Sequence, residues 1–68
     1  MKVWVNGELV ETNGATNVAQ LAERLGFQPH TVLIELNATA LHQREWAERS
    51  ITEGDRIEVL KVTAGVVV

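Results

Sequence analysis

The chain has 68 residues, no cysteine, and six Lys and Arg against nine Asp and Glu, a net charge of −3 with both histidines neutral. That length holds one domain, the absence of thiols excludes disulfides, thiolate metal sites and Cys nucleophiles, and the acidic balance argues against nucleic acid, which is bound through a basic surface. A domain of this size buries only about 60% of its unfolded surface and has little interior for an enclosed pocket, so an autonomous enzyme is not expected.

In chain order, Lys2-Val3-Trp4-Val5 and Glu8-Leu9-Val10-Glu11 are β-rich runs around Asn6-Gly7, the dipeptide suited to a type I′ hairpin turn. Asn17 stands three residues before Gln20 in capping-box spacing and predicts a helix from Val18. Val18, Leu21, Ala22 and Leu25 would form its apolar stripe, with Gly26 ending it. Pro29 cannot continue that helix, and Thr31 to Leu36 reads as the next strand, closed by Asn37. Ala38 to Leu41 is a candidate minor strand and Gln43 to Ala47 one helical turn. Thr52-Glu53-Gly54-Asp55 is turn chemistry, and Arg56 to Val62 then alternates with strand period. One helix across a small mixed sheet, an α+β architecture, buries every apolar stripe.

Alternation also sorts the side chains. With Val3, Val5, Ile57 and Val59 toward the helix, Trp4, Leu60 and Val62 project from the other face, joined by Leu33 when Ile34 faces inward. These four are the candidate partner-docking patch; the alternative is that the segment around Leu41 and Trp46 covers Trp4. His30 and His42 lack further ligands, and no metal site is expected. Glu45 and Glu48 beside Arg44 and Arg49 suggest exposed intrahelical ion pairs, and Glu53 and Asp55 suggest turn roles. No nucleophile–base pair, triad or glycine-rich phosphate loop is present, so no catalytic residue is assigned and any ATP would be bound by another protein.

Val5-Asn6-Gly7-Glu8 at the first turn, Asn17-Val18-Ala19-Gln20-Leu21 opening the helix, Leu36-Asn37, Arg44-Glu45-Trp46 and Glu53-Gly54-Asp55 together resemble the thiamine-biosynthesis sulfur carrier proteins over almost the whole chain. The resemblance implies a ubiquitin-like β-grasp: a four- to five-stranded mixed sheet, first and last strands parallel and central, with one main helix at about 18–25 on one face. It implies a β-grasp domain over residues 1–62 and a flexible tail over 63–68. It further implies a non-enzymatic carrier whose terminal carboxylate is adenylated by an E1-like adenylyltransferase using ATP, converted to a thiocarboxylate, and drawn on by thiazole synthase. No cofactor is bound by the carrier itself.

Members of that family end in Gly-Gly. Here Ala64-Gly65 matches the start of the tail, and Val66 stands in place of the second glycine, with Val67 and Val68 following. The reactive end is therefore Gly65 if the tail is trimmed and Val68 if it is not, with Ala64 a further candidate contact. Two alternatives stay open: an altered or recombinant tail, or a ubiquitin-like binding module without carrier chemistry. A structural alternative exists as well, because Val66 to Val68 has strong β propensity and could prolong the last strand or pair with another chain, leaving Gly65 as a bend. Met1-Lys2-Val3-Trp4 has no apolar signal-peptide core and no apolar run approaches membrane-spanning length, so a cytoplasmic location is expected.

Overall fold

A computed structural model describes residues 1–63 and 66–67. Strands β1 (Lys2–Val5) and β2 (Glu8–Glu11) precede helix α1 (Val18–Arg24); a 3₁₀ turn at Pro29–Thr31 leads into β3 (Val32–Leu36) and β4 (Thr39–Leu41); a second 3₁₀ segment, Gln43–Glu48, precedes β5 (Arg56–Thr63) and the two-residue β6 (Val66–Val67). The five-stranded sheet has the order β2-β1-β5-β3-β4, and β6 pairs with β5. β1 and β5 are parallel and the other pairs antiparallel. This is the expected mixed sheet with one main helix on one face.

Local chemistry explains where each element begins and stops. Asn6 and Gly7 both adopt positive φ, 51° and 81°, as a type I′ turn requires, and Trp4 falls opposite Leu9 and Val5 opposite Glu8. The Asn17 side-chain oxygen accepts the Gln20 N–H at 2.8 Å and caps α1. The second arm of the predicted capping box lands one residue early: Gln20 Oε1 accepts the backbone N–H and the hydroxyl of Thr16 at 2.8 and 3.0 Å. At the other end Gly26, φ 81°, donates to the Glu23 carbonyl and Phe27 donates to that of Ala22, a Schellman closure. That closure corrects the apolar stripe. Leu25 is the C-cap and lies exposed, while Phe27 turns back onto the core.

The 3₁₀ turn also takes Thr31, so β3 starts at Val32, one residue later than the pattern predicts. Asn37 and Ala38 form a second turn with two positive φ values, 50° and 71°. In the 43–48 segment, Glu45 Oε1 accepts the His42 N–H at 2.9 Å. Glu45 thus caps its own segment, and among the described residues the expected pairs of Glu45 and Glu48 with Arg44 and Arg49 do not form; the ion pair present joins the Met1 amino group to Glu11 at 2.8 Å.

Val3, Val18, Leu21, Ile34, Leu36 and Ile57 fill the space between α1 and the sheet, and Trp46, 3% exposed, closes its flank. Trp46 Nε1 is buried there without a hydrogen-bond partner. Among the described residues no helix is long and apolar enough to cross a membrane.

β1 and β5 share only two registered pairs, Trp4 with Arg56 and Val5 with Ile57. Asn6 lengthens this short ladder with its side chain: Oδ1 accepts the Val59 N–H at 2.7 Å and Nδ2 donates to the Val59 carbonyl at 3.3 Å. Asn37 does the same for β3, its Oδ1 accepting the Arg56 N–H at 2.9 Å and its own N–H donating to the Arg56 carbonyl at 2.7 Å. Both asparagines therefore hold the left-handed conformation while bonding the central strand.

Asn6→Gly keeps the positive φ and removes the side-chain bonds; Asn6→Ala removes both. Urea denaturation should rank wild type above Asn6→Gly above Asn6→Ala, with losses of about 1–2 and about 2–4 kcal/mol. Asn6→Gly indistinguishable from wild type would mean that the amide clamp contributes nothing.

Candidate functional site

Successive side chains of a strand point to opposite faces, so Arg56, Glu58, Leu60 and Val62 share the face of β5 that turns away from α1. Register extends that face across the sheet. Trp4 lies beside Arg56 and opposite Leu9, Leu33 lies opposite Leu60, and Glu35 lies opposite Glu58 and Ala40. Trp4, Leu9 and Leu33 are 40%, 47% and 46% exposed, and Leu60 and Val62 are half-buried. Trp4 is open to solvent and Trp46 is buried on the other side of the sheet, so the segment around Leu41 and Trp46 does not cover Trp4.

The stagger of β1 against β5 divides the apolar surface in two. Trp4 is level with Arg56, four residues or roughly 13 Å along β5 from Leu60. Trp4 and Leu9 form one apolar spot; Leu33, Leu60 and Val62 form another; Arg56, Glu58 and Glu35 stand between and beside them. A shallow hollow of about 230 Å³ lined by Trp4, Gly7, Arg56 and Glu58 marks the charged boundary. Leu9 is the residue that sequence reading missed. Its run Glu8-Leu9-Val10-Glu11 has two adjacent apolar residues and no alternation to sort them, although the two-residue turn at Asn6-Gly7 already forces Leu9 opposite Trp4.

His30 and His42 are both exposed, at the rim of a second hollow of about 300 Å³ floored by Leu33, Leu41, Trp46 and Val62. Among the described residues no group of three or more His, Asp or Glu side chains is placed to hold a metal ion.

β5 ends at Thr63, and β6 returns along it with Val66 opposite Thr63 and Val67 opposite Val62. The other tail positions singled out from the sequence, Ala64, Gly65 and Val68, lie outside the described residues.

The start of β5 is set by Asp55. Its carboxylate accepts the Thr52 N–H at 2.7 Å, the Thr52 hydroxyl at 3.1 Å and the Asn37 amide at 3.1 Å. Partial burial pushes the Asp55 carboxyl up, but these donors outweigh it and hold the group below its ordinary 3.8. At the far edge of the open face, the hydrogen bond and charge of the Met1 amino group, assisted by the Asn13 N–H and Lys2, hold the exposed Glu11 carboxyl below its usual range against a small opposing push from desolvation.

A family model described as the ThiS family matches residues 3–65. The crystal structure of the thiamine biosynthesis protein ThiS from Geobacter metallireducens superposes with a TM-score of 0.81 at 30% identity, covering 97% of this chain and 100% of that one. The solution structure of a thiamine biosynthesis protein from the same organism gives a TM-score of 0.77 at 30% identity over 97% of this chain and 88% of that one. No curated protein sequence matched the chain significantly.

A carboxyl whose pKa is depressed by folding contributes stability that is complete above its unfolded value and is lost as pH falls through the folded value. The stability gap between wild type and Asp55→Asn should therefore be constant at neutral and mildly acidic pH, then narrow below about pH 4. A gap that stays unchanged down to pH 2, measured by urea midpoints, would show that Asp55 ionisation does not support the turn.

Proposed function

The chain belongs to the ThiS family, and from that premise we propose that it is a sulfur carrier protein for thiazole formation in thiamine biosynthesis, a protein co-substrate rather than a catalyst. The observation that carries this reading is the family match over residues 3–65, supported by a ThiS structure that covers the chain almost end to end.

A carboxylate is a poor electrophile until one of its oxygens is converted to a good leaving group. In the proposed sequence a carboxylate oxygen of the tail attacks the α-phosphorus of ATP on an E1-like adenylyltransferase and pyrophosphate leaves. A sulfur nucleophile then attacks the acyl carbon, AMP leaves, and the resulting thiocarboxylate is the sulfur source for thiazole synthase. ATP is bound and used by the activating partner. Glycine suits the reactive end because the lack of a Cβ lets the chain enter a narrow channel. The domain's side chains do no acid–base work; their part is to dock.

Docking falls to the open sheet face. Trp4 is the large aromatic anchor, with Leu33, Leu60 and Val62 forming the spot nearest the tail and Ala64 a further contact beyond β5. Glu35 and Glu58 are like charges directly opposite one another, an arrangement that costs stability in the free domain and that a basic partner side chain would relieve. The soluble, cytoplasmic setting follows from the partners this chemistry requires.

With the E1-like enzyme, ATP and a sulfur donor, a chain ended at Gly65 should gain the mass of an oxygen-to-sulfur exchange, read by intact-mass spectrometry. If no tail length is loaded while the enzyme still binds the domain, the chain is a ubiquitin-like binding module and the carrier reading fails. Trp4→Ala should weaken binding to that enzyme by about tenfold or more, as an exposed interface anchor does, and leave the urea midpoint nearly unchanged. Loss of the fold in this variant would instead assign Trp4 a structural role.

A further inference from the structure

We propose that Asn13 is a site of spontaneous covalent modification, its side chain closing on the Gly14 nitrogen to a cyclic imide that opens to aspartate and isoaspartate, and that the bonds of Asn6 to β5 shield Asn6 from the same reaction. The inference does not rest on the carrier reading. The chain holds two Asn-Gly dipeptides, Asn6-Gly7 and Asn13-Gly14, whereas Asn17 and Asn37 are followed by Val18 and Ala38. Glycine in the second place presents the attacking nitrogen without a Cβ to crowd it.

The two dipeptides are matched in their backbone. Asn6 and Asn13 have φ of 51° and 53°, and Gly7 and Gly14 have φ of 81° and 85°. Each forms the centre of a tight turn: Val5 stands opposite Glu8 around the first, and the Ala15 N–H donates to the Thr12 carbonyl at 3.1 Å around the second. All four residues are exposed. What differs is the side chain. Asn6 holds Val59 with both amide atoms, Asn17 Oδ1 caps α1, and Asn37 bonds Arg56 and Asp55; among the described residues the Asn13 side-chain amide makes no hydrogen bond. Asn13 can therefore swing its Cγ toward the next nitrogen without breaking a bond, while Asn6 must first let go of β5.

The step balances without a redox partner. The Gly14 N–H gives its proton to hydroxide, the nitrogen attacks Asn13 Cγ, the Cγ–Nδ2 bond breaks, and ammonia leaves with a proton from water. A second water opens the imide. Cleavage of the ring bond to Cγ gives aspartate; cleavage of the bond to the main-chain carbonyl carbon gives isoaspartate, in which the chain runs through Cγ and the former carbonyl is a free carboxylate. Arg24 Nε already donates to that carbonyl at 2.9 Å, so the isoaspartate form sets its new anion beside a guanidinium.

Peptide mapping by mass spectrometry after incubation at mildly alkaline pH tests this. Cleavage at Glu8 and Glu11 separates the two dipeptides, and electron-transfer fragmentation distinguishes isoaspartate from aspartate. In the folded protein Asn13 should convert at least about tenfold faster than Asn6, a barrier difference of about 1.4 kcal/mol. In urea, where β5 no longer holds Asn6, the two should convert at similar rates. Equal rates in the folded protein overturn the shielding of Asn6. An Asn13 that converts in urea and stays intact in the folded chain overturns the modification site.

Discussion

The backbone of β5 is where the two hairpins of this domain meet, and asparagine side chains secure it from both sides. β1–β2 reaches it through two parallel pairs and the Asn6 amide on Val59; β3–β4 reaches it through five antiparallel pairs and the Asn37 amide on Arg56. Each such bond is worth only about 0.5–1.5 kcal/mol net, so it does not supply the bulk of stability, which comes from the apolar layer beneath α1. Its contribution is registration. With β1 ending at Val5, a slip of the parallel pair by one residue would turn Trp4 into the core and Val3 and Val5 out of it. The Asn6 amide opposes that slip because its two atoms match one residue of β5.

A two-layer domain held in this way has one protected face and one open face, and among the described residues the protected one is filled by apolar side chains. Among the described residues the hollows are shallow, and the buried side chains are apolar apart from Thr12 and the indole N–H of Trp46. In the proposed carrier role, the chemistry carried out on such a chain is supplied by larger proteins. The chain brings a surface with two apolar spots around charged side chains, and a backbone that leaves the central strand close to one of those spots. The site is therefore spread over four strands and depends on the register that fixes them.

Much of this was legible in the sequence because local requirements and residue types agreed. Asn6-Gly7 satisfies two positive-φ positions and so announced its turn; Asn17 and Gly26 bracket α1; the alternation of Arg56-Ile57-Glu58-Val59, continued at strand period through Val62, sorted the two faces of β5. Legibility failed where tertiary contacts overrode local pattern. Ala38 is a poor residue for φ 71°, and the Asn37–Ala38 turn exists because Asn37 is bonded to Arg56 and Asp55, eighteen or nineteen positions away. Leu25 fits the helical period, yet the Schellman closure hands its place in the core to Phe27. Glu45 had an arginine neighbour on paper and a closer backbone N–H in space. Within the site, the faces could be read from alternation, whereas the separation of Trp4 from Leu60 depends on the stagger between two parallel strands whose paired residues are 52 positions apart, which no local pattern encodes.

The position of β5 in the chain also has a consequence for biosynthesis. A ribosome releases the two hairpins first, and neither has a partner until the strand that joins them emerges. The longest-range bonds, Asn6 to Val59 across 53 positions, are then made last and slowly for a domain of this size. Arg56, Glu58, Leu60 and Val62 furnish much of the open face, so that face appears together with the segment that follows it. A nascent chain stalled before β5 has Trp4, Leu9 and Leu33 but lacks the strand that sets them side by side as one face.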